Sequence, residues 1–135
     1  MEESHVQFKQ PMLEECCFSV NKGFFKADKK NTSKSQKIKL PLKTEINVGE
    51  IIDNKSFVSL LVEVGEKNNN TPFYARTKMS SLFVLGEGLS EDECESFLKI
   101  NAPALLLSYT RPIIASLVND AALPKYNIPF INFTK

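Results

Sequence analysis

Up to Leu85 the chain alternates apolar and polar residues, and then the period changes. His5 to Val20, HVQFKQPMLEECCFSV, reads as a strand, with Val6, Phe8, Phe18 and Val20 in partial alternation. Pro11 donates no ladder hydrogen bond, which places this strand at a sheet edge or marks a bulge. KIKLPLKTEINV sets Ile38, Leu40 and Leu42 against Lys37, Lys39 and Lys43, a half-buried strand with one wet face. SFVSLLVEVG puts Val58, Leu60, Val62 and Val64 on one face. EKNNNT is the turn, and PFYARTKMSSLFVL follows as the hairpin partner. There Phe73, Ala75, Thr77 and Met79 share a face and Tyr74, Arg76 and Lys78 the other. The alternation breaks at Ser80–Ser81, which predicts a bulge.

Beyond Leu85 the spacing is helical. Ser90 followed by Glu93 forms a capping-box pattern, with Asp92 favoured in the first turn by the helix dipole. A short helix is predicted over EDECESFLKI, and a second begins at Asn101 with Pro103 in its first turn. Leu106, Tyr109, Ile113 and Leu117 stand at helical spacing. Pro112, well inside, would kink the helix at a cost of about 3 kcal/mol. After Asn119–Asp120 comes an apolar run that Pro124 and Pro129 keep from being a helix or a good central strand. Strands followed by helices predict an α+β fold, a four-stranded antiparallel sheet with helices packed on one face. At 135 residues the chain is expected to form one domain, with strands over about 5–85, helices over about 90–119 and an apolar loop over about 120–133.

Candidate chemistry is sparse. Seventeen Lys and Arg against sixteen Asp and Glu give a net charge of +1, which argues for neither nucleic acid nor a membrane surface. No secretory leader pattern opens the sequence and no apolar run approaches the roughly 18 residues of a span, so a cytoplasmic protein is expected. Three cysteines, Cys16, Cys17 and Cys94, make no disulfide framework and suit a reducing compartment. On a strand the adjacent pair point to opposite faces, one packed and one outward, so they cannot chelate a metal together. His5 is the single histidine and reads as a solvent-exposed strand end. With no phosphate loop, dinucleotide fingerprint or metalloprotease motif, no catalytic residue, metal site or cofactor is assigned. The lysine-rich stretch from Lys22 to Lys37 reads as a solvated loop. Apolar surface remains. Phe24–Phe25 open that loop, and Leu123, Tyr126, Ile128 and Phe130 lie in the proline-interrupted run, two segments suited to lining a hydrophobic binding surface.

PFYARTKMSSLFVL, NAPALLLSYTRPIIASLV and LPKYNIPFINF resemble the SecB family of export chaperones from about Pro72 to Phe133. Tyr109 and Arg111 match the tyrosine and arginine of that family's long helix, and Asn132–Phe133 match the pair closing its helix-connecting loop. The resemblance implies a non-catalytic, ATP-independent holdase, a homotetramer built as a dimer of dimers. It would hold unfolded chains in grooves between the crossover loop, here Phe24–Phe25, and the C-terminal loop, here Leu123 to Phe130. Clients would be preproteins of the Sec pathway or an antitoxin; a module with one specific partner is the reading outside the chaperones. Dimers would form through the first strand and the long helix. Ala75, Thr77 and Met79 either face the tetramer interior, as the resemblance implies, or pack on the chain's own helix. Glu15, Tyr74, Arg76 and Lys78 fall on the sheet face with which the family docks the translocation ATPase SecA. The family's patch is acidic, so Arg76 and Lys78 reverse its charge and count against that docking. The sequence reads as a divergent, C-terminally short member, ending at Lys135 before the family's second helix, with one side of the groove expected to be either more open or supplied differently. Pro112 stands one turn later than the family's helix proline.

Overall fold

The strongest alternation becomes the centre of the sheet. In the computed structural model, residues 6–27 and 40–134 are described. They form β1 (Val6–Phe8), β2 (Met12–Val20), α1 (Lys22–Ala27), β3 (Leu42–Val48), β4 (Lys55–Gly65), β5 (Phe73–Leu85), α2 (Glu91–Ser96), a π-helical segment (Phe97–Asn101) and α3 (Ala102–Asp120). β4 and β5 pair antiparallel in unbroken register from Lys55 opposite Val84 to Gly65 opposite Tyr74. β3 lies on the far side of β4, and β1 and β2 both pair with β5. The fold is α+β, as expected, but the first of the four expected strands is split in two. His5 and the Lys37–Lys39 start of the expected second strand lie outside the described residues.

The split has a local cause. Pro11 interrupts the ladder, leaving Lys9–Pro11 outside either strand. Ser81 Oγ donates to the Lys9 carbonyl there, and Lys9 N donates to Leu82 O at 3.0 Å. The expected bulge at Ser80–Ser81 is therefore absent from β5. The register shift falls instead between Leu13 and Glu15 of β2. The residues after Val20 also differ from the expected loop. Asn21 Nδ2 donates to Glu66 O at 2.7 Å and Thr71 O at 2.9 Å, tying the start of α1 to the β4–β5 turn.

Val58, Leu60, Val62 and Val64 are fully buried beneath α3, which contributes Ala102, Leu106, Leu107, Thr110, Ile114 and Val118 to the interior. Of the four apolar residues noted at helical spacing, only Leu106 is fully buried; Tyr109 is exposed and Ile113 and Leu117 are half-buried. Thr110 explains the difference, because its hydroxyl donates to Leu106 O at 2.9 Å and a residue that reads as polar turns inward. The predicted capping box at Ser90 and Glu93 is present. The expected break before the second helix is not. Pro103 has no N–H for a regular α-turn, and the chain widens into a π turn closed from Ala102 N to Phe97 O. Pro112 is accommodated within α3 on its exposed side.

Ala75, Thr77 and Met79 lie in this interior, with Ala75 and Thr77 fully buried. They pack on the chain's own helix and are unavailable as an interface between copies, which corrects the reading that faces them towards a tetramer interior. Both Cys16 and Cys17 are exposed, because α3 covers β4 and β5 and leaves the β2 edge open, so the expectation that one would be packed is also corrected.

Candidate functional site

The site begins where α3 ends. Ala121 N donates to Leu117 O, Ala122 N to Asn119 O and Leu123 N to Val118 O, closing the helix. Ala122 takes the left-handed conformation at φ 58°, turning the chain back along the sheet. Pro124 and Pro129 then keep it out of any ladder. Ile128, 3% exposed, anchors this segment in the core. Tyr126 meets Phe73 edge-on at 5.9 Å, and Phe18 stacks on Phe73 at 5.5 Å. Burial pushes the Tyr126 phenol above its ordinary value. Between the segment and the sheet lies a cavity of about 250 Å³, lined by Leu40, Pro72, Phe73, Leu123, Pro124, Lys125 and Tyr126. Phe130 projects away from it, 95% exposed.

α1 stands at the same end of the sheet, since Val20 pairs with Phe73 and Asn21 N donates to Pro72 O. Phe24 and Phe25 make a T-shaped pair at 5.3 Å, with Phe25 exposed. Among the described residues no ring contact joins this pair to Tyr126 or Phe130, and the two apolar segments stand at one end of the sheet. Of the six expected groove residues, Leu123 and Tyr126 line the cavity. Phe25 and Phe130 are open surface, Phe24 is half-buried, and Ile128 is core. Phe73 was not among the candidates, because its place in a regular alternation reads as core alone. Arg111 stands out in the sequence only through its match to the family's long helix, yet its Nη2 donates to Pro129 O at 3.0 Å and its guanidinium lies 5.3 Å from the Phe130 ring centre.

On the opposite sheet face, Glu15 pairs with Lys78, and Tyr74, Arg76 and Lys78 follow one another along β5. Tyr74 Oη donates to Glu63 at 2.6 Å, Arg76 pairs with Glu63 at 3.7 Å, and Lys67 lies over the Tyr74 ring. Lost hydration and the bond to Glu63 raise the Tyr74 phenol, against the pull of Arg76. The face is thus mixed in charge, and Glu63 already serves two partners. A third surface runs along the β1–β2 edge, where Phe8, Leu13 and Val20 are exposed and Phe8 meets Tyr109 of α3 edge-on at 6.3 Å. Among the described residues there is no group of three or more potential metal ligands, and no helix is long and apolar enough to cross a membrane.

The one-sided, helix-covered antiparallel sheet has a counterpart among the SecB-like chaperones. A SecB-like chaperone of Mycobacterium tuberculosis, solved in complex with a peptide from the HigA1 antitoxin, aligns over 95% of this chain and 88% of its own, with a TM-score of 0.67 and 17% identity. A protein of unknown function from Streptococcus agalactiae aligns over 93% of this chain and 97% of its own, at a TM-score of 0.52 and 12% identity. The family described as preprotein translocase subunit SecB matches residues 19–135, and the chain belongs to it. Among curated relatives, an uncharacterized protein of Methanocaldococcus jannaschii is 30% identical over 73% of this chain and 66% of its own length. The protein-export protein SecB of Actinobacillus succinogenes is 30% identical over 64% of this chain, and that of Idiomarina loihiensis 26% identical over 68%. The matched part spans 49% and 57% of those two relatives.

Proposed function

We propose that this chain is a non-catalytic, ATP-independent holdase that binds non-native polypeptides through the apolar surface at the Phe73 end of its sheet. The observation that carries this reading is the cleft of about 250 Å³ under Leu123 and Tyr126, continued by an exposed Phe130 on the same segment. Each large apolar client side chain buried there contributes roughly 1.5–3 kcal/mol, so a single site binds weakly and tolerates many sequences. Repeating the site in a homotetramer converts weak sites into avidity for one long chain. The exposed β1–β2 edge with Tyr109 supports dimer formation through the first strand and α3. A folded client has buried the side chains that would bind, so selectivity for non-native chains needs no further device. The clients in this reading are cytoplasmic preproteins destined for export. Binding of a denatured, slow-folding protein, but not of its folded form, tests the holdase; loss of that binding in Tyr126→Ser with Phe130→Ser tests the site.

A second client reading is favoured by the opposite face. Arg76 and Lys78 stand where an acidic docking patch is expected, and Glu63 is engaged by Tyr74 and Arg76. This disfavours SecA docking and favours a chaperone dedicated to one partner such as an antitoxin, the kind of peptide bound by the M. tuberculosis protein. Titration with SecA separates the readings: saturable binding supports export, and its absence supports the dedicated client.

A further inference from the structure

Phe130 is a large apolar ring left 95% exposed, yet it is held in place. The segment after Leu123 has no ladder. Among the described residues, one hydrogen bond ties it to the rest of the protein, from Arg111 Nη2 to Pro129 O at 3.0 Å across 18 positions of sequence. The same guanidinium lies 5.3 Å from the Phe130 ring centre. Arg111 forms no ion pair with a carboxylate among the described residues, so its charge is not committed elsewhere. A planar guanidinium can donate from its edge while its face lies on a ring; a lysine ammonium offers no such plane. Pro129 fixes its own φ immediately before the ring, removing one further freedom.

We propose that Arg111 is a positioning residue that presents Phe130 to the client. The guanidinium lies over one side of the ring and leaves it 95% exposed, so an apolar client side chain meets a ring that is already oriented. Ordering the segment in advance removes that entropy cost from the binding step. This inference rests on the holdase reading and adds to it a residue that sets affinity without lining the cleft.

The test is a double-substitution cycle on the full chain, read by fluorescence anisotropy with a labelled, reduced and carboxymethylated unfolded protein as probe. Thermal melting of every variant runs alongside. Arg111→Gln is expected to weaken binding about 5- to 20-fold when Phe130 is present and less than about 2-fold when it is Ala, with little change in melting temperature. Arg111→Lys is expected to restore only a small part of the loss. Equal losses from Arg111→Gln in both backgrounds would make Arg111 a general structural residue and overturn the inference. So would a loss with Phe130→Ala but none with Arg111→Gln, leaving the holdase reading intact. Binding unaffected by Phe130→Ala would instead remove the role of this ring in the groove, and the inference with it.

Discussion

Phe130 and Ile128 stand two positions apart on one segment, and the structure assigns them opposite jobs. Phe130 is 95% exposed, so Phe130→Ser removes almost no buried surface and should leave folding stability within about 0.5 kcal/mol. Covering that ring with a client is worth roughly 1.5–3 kcal/mol, so the same substitution should weaken client binding about 10- to 150-fold at a single site. Ile128 is 3% exposed and belongs to the core, so Ile128→Ala should cost about 2–5 kcal/mol of stability. Its effect on binding should then follow the loss of the whole segment. Urea unfolding gives the first quantity for each variant, and anisotropy with a labelled unfolded client gives the second. If Phe130→Ser destabilised the fold by more than about 1 kcal/mol, the ring would be packed and not presented. If it left binding unchanged, the segment would not be a client surface.

Thr77 is fully buried and its hydroxyl has no hydrogen-bond partner among the described residues, so Thr77→Val should stabilise the fold by about 1–3 kcal/mol. A lower urea midpoint would contradict this. Ala122 holds a left-handed conformation that disfavours a Cβ by roughly 1–2 kcal/mol, and Ala122→Gly should raise the melting temperature by a few degrees once the greater freedom of unfolded glycine is deducted. An unchanged or lower melting temperature would remove the strain. The phenols of Tyr74 and Tyr126 are raised above 10.0, so the fold favours their neutral forms. The unfolded chain therefore gives up those protons first, and stability present below about pH 10 should fall as the pH rises further. Urea midpoints across that range test it, and a rising midpoint would contradict it.

The sheet was legible because β4, and β5 as far as Met79, carry clear alternation, and the capping box at Ser90 fixed where the helical half begins. What the sequence hid had specific causes. α1 depends on Asn21 reaching carbonyls 45 and 50 positions away, which no local pattern announces. Ser81 reads as a break in alternation, yet it serves a carbonyl of the interrupted first strand while the other strand bulges. Thr110 reads as polar, but its own backbone satisfies its hydroxyl. At the site, the proline-interrupted segment stood out as apolar and non-helical. Its division into anchor, cavity wall and exposed ring depends on tertiary packing around Phe73. Arg111 is one charged residue on a helix until its distance to Pro129 is known.

Light scattering coupled to gel filtration, on the protein alone and then with an equimolar denatured, slow-folding client, addresses the central claim most directly. A holdase should run as a tetramer, co-elute with the unfolded client and ignore the same client once folded. A monomer or dimer that leaves the client to aggregate would contradict the holdase, and the fold would then serve a single defined partner.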